Sequence, residues 1–176
     1  MTKEHREIRC YDYVNHPYDQ VRDALRPDAP RVFQWATKSA VSRAEAVATE
    51  LHVDFGGIGF KADVTVSVNK LEETVESMPS PSTRLLIEWE AATLPSFFPV
   101  MKATLSIYPL SASETQLDFL GHYEPPFGPM GKTMNAIVGK RVAEASVHRF
   151  LNDVAAYLRS ILPIISAGSA RSHPQG

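Results

Sequence analysis

From Thr115 to Gly128 the chain reads TQLDFLGHYEPPFG, and beyond Pro129 no further proline occurs until Pro163. Leu117, Phe119, Gly121 and Tyr123 share a parity opposite to Gln116, Asp118 and His122, the two-residue period of a strand with one wet face. Past the prolines the period changes. Met134, Ile137, Val138, Val142, Val147, Leu151, Val154, Leu158 and Ile161 recur at helical spacing, predicting one long C-terminal helix. A strand feeding a long terminal helix fixes how everything upstream has to pack.

Working backward, Met101, Ala103, Leu105 and Ile107 alternate with Lys102, Thr104 and Ser106, and Leu85, Ile87 and Trp89 alternate with Glu88 and Glu90. Leu94 to Pro99 and the Pro/Ser segment 76–83 read as loops. Val64, Val66 and Val68, preceded by the turn cluster Gly56-Gly57-Ile58-Gly59, pair in a hairpin with an alternating strand at Thr49, Leu51, Val53 and Phe55. At the start, IRCYDYV is a strand, broken by Asn15-His16-Pro17. A short helix follows with Tyr18, Val21 and Leu25 on one face. A second short helix begins after Asp28, a candidate N-cap, and carries Val32, Phe33 and Trp35 into the Ala-rich stretch 40–48.

This order predicts an α+β fold: a curved antiparallel sheet of about six strands, two short helices after the first strand, and a long helix packed across the sheet. Strands with a single apolar face need a cover, and only the last helix is long enough, at about 1.5 Å per residue. A sheet gripping one helix leaves a volume suited to an apolar ligand. Residues 1–165 are expected to form one domain and 166–176, SAGSARSHPQG, a disordered tail.

In this order of elements, with NHPYDQV at 15–21 and the 115–128 stretch leading into the long helix, the chain resembles the SRPBCC superfamily. That group includes START, Bet v 1-like and polyketide cyclase/dehydrase-like proteins. The resemblance spans roughly residues 5–162 and implies a helix-grip fold with a ligand cavity. It implies no single catalytic signature.

Composition narrows the function classes. The 176 residues are 22% charged and 44% hydrophobic, ordinary for a globular chain, and the net charge of −2 leaves no basic excess for nucleic acid. The single cysteine, Cys10, cannot form an internal disulfide, and no Cys/His cluster has zinc spacing, so neither metal nor other cofactor is expected. No secretory h-region and no run of about 18 apolar residues is seen, so the expectation is a cytoplasmic protein without stable membrane insertion.

Motifs with chemical potential are few. Gly131-Lys132-Thr133 resembles the end of a P-loop, but the required first glycine is Pro126, so a plain strand-to-helix turn is the better reading. Glu88 and Glu90, and likewise His52 and Asp54, have parity opposite to apolar neighbours and are expected to face water. His122 shares a face with Asp118, His148 stands one turn after Glu144, and neither has a nucleophile partner. Phe97 and Phe98, between prolines, would plug one end of a pocket or form an exposed lid.

The more informative set is apolar. Phe55, Trp89, Phe119 and Tyr123 fall on inner strand faces opposite Met134, Ile137 and Val138 of the long helix, as core or as the wall of a ligand cavity. Tyr123 is the candidate for a polar contact or a proton transfer, because an inward phenol needs a partner. Tyr11 and Arg141 are further candidates of that type. Three functions compete: binding of a small hydrophobic molecule (lipid, polyketide or aromatic metabolite), a cofactor-independent cyclase, aromatase or dehydratase, and a protein-interaction module with a filled core that leaves a homodimer open.

Overall fold

A computed structural model describes residues 6–50, 64–74, 80–91, 101–123 and 136–163. Within them lie β1 (Arg6–Val14), α1 (Tyr18–Leu25), α2 (Ala29–Glu50), β2 (Val64–Thr74), β3 (Ser82–Ala91), β4 (Met101–Ser111), β5 (Glu114–Tyr123) and α3 (Ala136–Ile161). The strands form one antiparallel sheet in the order β1-β5-β4-β3-β2. The first strand thus pairs with β5, which precedes α3 in the chain.

Strand parity settles the two faces. Ile8, Cys10 and Val14, Leu117, Phe119 and Tyr123, Ala103, Leu105 and Ile107, and Leu85, Ile87 and Trp89 are all buried on the inner face. Outside, polar side chains pair across strands: Arg9 forks onto Asp118 at 2.6 and 3.1 Å, Gln116 donates to Tyr108 at 2.6 Å, and Lys102 lies 3.6 Å from Glu88. One dry and one wet face is the usual condition of an antiparallel sheet covered by helices on one side. Glu88 and His122 stand on the wet face as expected, with His122 3.6 Å from Glu7.

Helix α3 buries Val147, Phe150, Leu151, Val154, Ala155 and Leu158, a stripe at spacings of three and four, against the sheet and α2. Helix α2 contributes Val32, Phe33, Ala36, Ala40 and Ala44. Ion pairs and hydrogen bonds fasten the layers: Asp28 accepts from Tyr157 at 3.1 Å and Arg31 at 3.1 Å, and Asp12 of β1 accepts from Arg159 at 2.7 Å. The arrangement is α+β and consistent with a helix-grip fold.

Two expectations need correction. The second helix is not short: it runs 22 residues to Glu50, taking in Thr49, where a strand was expected to begin. No glycine or proline interrupts residues 31–50, and alanine, the best helix former, sits where close contact with α3 rewards a small side chain. The sheet shows five of the six expected strands among the described residues. Most of the sixth, including His52, Asp54 and Phe55, lies outside them, as do the Gly56–Gly59 turn, Phe97-Phe98, Gly131-Lys132-Thr133 and the tail from 166 to 176. Trp35, read with Val32 and Phe33 on the sequence, is 52% exposed, because the buried face of α2 runs through 32, 33, 36 and 40.

Candidate functional site

The strand register places side chains in rows across the inner face. Arg6 stands opposite Tyr123, Tyr123 opposite Met101, and Met101 opposite Trp89, forming the row at one end of the sheet. The next row, Ile8, Gly121, Ala103 and Ile87, has almost no side chain at its centre. That space is taken by Phe119. A Cβ added to Gly121 would stand 2.8 Å from Phe119 Cε1 and 3.3 Å from the Met101 sulfur, so the ring leans over the glycine toward the Tyr123 end.

Around this ring an aromatic cluster joins three layers. Phe119 and Trp89 have centroids 5.6 Å apart, Trp89 meets Phe150 of α3 edge-on at 5.1 Å, and Phe150 touches Phe119 at 5.8 Å and Phe33 of α2 at 5.6 Å. Such tilted and edge-to-face pairs add roughly 0.5–1.5 kcal/mol each beyond area burial. The indole is also fixed in rotation, because Trp89 Nε1 donates to Thr37 Oγ1 of α2 at 2.7 Å.

Three buried aromatic side chains carry a polar tip at this interface, and they differ. Trp89 is satisfied by Thr37. Tyr18 of α1 shares a 2.7 Å hydrogen bond with Thr83 at the opposite end of the sheet, where Thr115 Oγ1 also donates to the His16 carbonyl at 2.7 Å. Tyr123 is 4% exposed, and its hydroxyl has no hydrogen-bond partner among the described residues. A buried hydroxyl left unpaired costs about 1–3 kcal/mol. The one other such atom among the described residues is His16 Nδ1. It lies just past the end of β1, beside Thr115, which is eight residues and so about 27 Å along β5 from Tyr123, too far to act with it.

Of the residues singled out on the sequence, the fold brings Trp89 and Phe119 into one cluster and sets Tyr123 on the same row as Trp89. Ile137 and Val138 belong to the first turn of α3, and Phe55 and Met134 lie outside the described residues. Tyr11 does not point inward: it is 60% exposed, because Ile8 and Cys10 take the inner parity of β1. Arg141 is exposed on α3. Glu144, spaced to meet His148, pairs instead with Lys140 at 3.5 Å. Sequence reading missed Phe150 and Thr37, and put Gly121 on the inner parity without the ring that covers it. Phe150 was findable, since it adjoins Leu151 on the apolar stripe; Thr37 carries no local signal.

Among the described residues no group of three His, Cys, Asp or Glu side chains could hold a metal ion, and no helix is long and apolar enough to cross a membrane. Burial pushes the Cys10 thiol up to about 12, with Asp118 and Asp12 adding to the shift, so it is protonated at neutral pH.

Several solved structures are similar to this chain, some of them of SRPBCC type. They include the Zhui aromatase/cyclase of Streptomyces sp. R1128 (15% identity, TM-score 0.39, covering 88% of this chain and 94% of that one). A START superfamily protein from Mycobacterium smegmatis is 11% identical with a TM-score of 0.44, covering 90% of this chain and 100% of that one. A conserved protein from Geobacillus kaustophilus is 16% identical with a TM-score of 0.48, covering 88% and 96%. Likeness at this level says nothing of what this chain binds or does. No protein-family model matches the chain, and no curated protein matches its sequence.

Proposed function

We propose that the chain binds a small, largely hydrophobic molecule between the sheet and α3, at the end of the sheet where Tyr123, Met101 and Trp89 stand in one row. The observation that carries this reading is the Tyr123 hydroxyl, unpaired among the described residues, in the same row as Trp89, whose polar tip is satisfied. A ligand with one hydroxyl or carbonyl group supplies the missing partner, while apolar burial at about 25 cal/mol per Å² supplies most of the affinity. Phe119 and Trp89 form the floor of this site, and Phe55, Met134, Ile137 and Val138 complete its wall. The site lies within one domain of residues 1–165, and the protein acts in the cytoplasm.

The cyclase or dehydratase reading asks for two polar side chains converging on one point. Tyr123 is the sole described inner-face side chain with an unmatched polar atom at this end, which favours binding over proton-transfer chemistry. The filled-core reading draws on the aromatic cluster, which packs the middle of the interior.

Native mass spectrometry of the purified protein, followed by organic extraction, tests the proposal. A retained apolar molecule that is lost in Tyr123→Phe supports it. A clean apo mass, together with no binding of a fluorescent apolar probe such as ANS to the folded protein, would sink it in favour of the filled core.

A further inference from the structure

A cleft of about 420 Å³ opens on the opposite side of α3 from the aromatic cluster, lined by Tyr11 and Asp12 of β1, Arg43 of α2, and Ala145, His148, Arg149, Leu151 and Asn152 of α3. Its hydrogen-bonding inventory is unbalanced. Arg149 is held at one end only: Nε donates to Ser39 Oγ at 2.9 Å and to Asp153 Oδ2 at 3.0 Å. Its two terminal nitrogens have no protein partner among the described residues. His148 and Asn152 are exposed on the same helix face, with no side-chain hydrogen bond to another of the described residues. The acidic group of the cleft, Asp12, is already engaged by Arg159 at 2.7 Å and by the Tyr13 N–H at 2.7 Å.

What remains is a surplus of donors: four guanidinium N–H groups from Arg149, the Asn152 amide, an imidazole N–H and the Tyr11 hydroxyl. A guanidinium pinned through Nε presents its other edge in a fixed plane, so little side-chain entropy is lost when two parallel bonds form to an oxyanion. Leu151 and Ala145 supply apolar lining beside these donors.

We propose that this cleft is a binding site for a phosphate group, gripped by Arg149 with His148 and Asn152 as secondary donors. It is separate from the interior site and does not depend on it.

The test is a 15N-HSQC titration of the full chain with inorganic phosphate against sodium chloride at equal ionic strength, repeated with phosphatidylcholine vesicles with and without phosphatidic acid. Saturable shifts confined to His148, Arg149, Asn152 and their neighbours are expected with phosphate if the ligand is a soluble phosphate. Broadening of the same signals only by the phosphatidic acid vesicles would identify a lipid head group. Arg149→Gln should weaken binding by about tenfold or more. Because that change leaves the buried Asp153 without its partner, the double variant His148→Ala/Asn152→Ala serves as a second reading, with about a threefold to tenfold loss expected and the fold untouched. Linear shifts equal to those of chloride and no response to either vesicle would overturn the proposal, as would unchanged affinity in both variants.

Discussion

Phe119 and Gly121 are two residues apart on one inner strand face, and the ring of the first occupies the space that a side chain on the second would need. The 2.8 Å that would separate a Cβ at 121 from Phe119 Cε1 is shorter than any ordinary contact. Since Phe119 also meets Trp89 and Phe150, the ring cannot give way without disturbing both. Gly121→Ala is therefore expected to destabilise by about 1–3 kcal/mol, the usual cost of overpacking. Phe119→Leu in the same chain should recover part of that loss, and urea denaturation of the two single variants and the double reads the coupling directly. Additive losses would show that the two positions do not share this space.

The Thr37 hydroxyl is the acceptor for a buried indole. Thr37→Val keeps the shape and leaves Trp89 Nε1 unpaired, with an expected loss of about 1–3 kcal/mol in thermal or urea unfolding. Thr37→Ser should lose much less, because the acceptor survives.

For the two buried phenols the expected responses are opposite. Tyr18→Phe breaks a 2.7 Å bond and strands Thr83 in the core, so stability should fall by about 1–2 kcal/mol. Tyr123→Phe deletes a hydroxyl that has no partner among the described residues, and the ligand-free protein should be as stable as the parent or more so. Differential scanning calorimetry on extracted, ligand-free protein distinguishes them. A large loss in Tyr123→Phe would mean that the hydroxyl is satisfied from within the chain, and the binding proposal would lose its main support.

Cys10 is 2% exposed and its thiol is raised to about 12 by burial. Below the unfolded-state value near 9, thiol in both states is protonated and the group is silent. Between about 9 and about 12 the unfolded chain releases the proton and the folded one keeps it, so stability should fall as pH rises through that window. Chemical denaturation at pH 8 and pH 10.5, compared with Cys10→Ala, isolates this contribution; an identical pH dependence in the variant would refute it. In the native protein at pH 8, reaction with Ellman's reagent should be slow and should accelerate on adding urea.

Much of the architecture follows from local pattern. The alternation at 101–107 and 117–123 assigns each residue to its face, because a two-residue period leaves no third option once one side is buried. The stripe from Val147 to Leu158 likewise gives α3 its inner side. Where period and propensity disagree, the pattern misleads. Thr49 carries the alternating signature of a strand, yet it ends a 22-residue helix, since alanine-rich sequence without breakers extends a helix whose far face is covered by α3.

The candidate site divides in the same way. That Trp89, Phe119 and Tyr123 face inward could be derived from the sequence itself, because side-chain direction along a strand is a local property. Which of them is satisfied could not. The Thr37 partner of Trp89 lies 52 residues away on another element, and the Thr83 partner of Tyr18 lies 65 residues away. The cleft at Arg149 likewise joins one strand and two helices that are distant along the chain. Hydrogen-bond partners, the ring that fills the space over Gly121 and the unpaired tip of Tyr123 were all decided by tertiary packing, since each depends on the distance between elements, which no local period encodes.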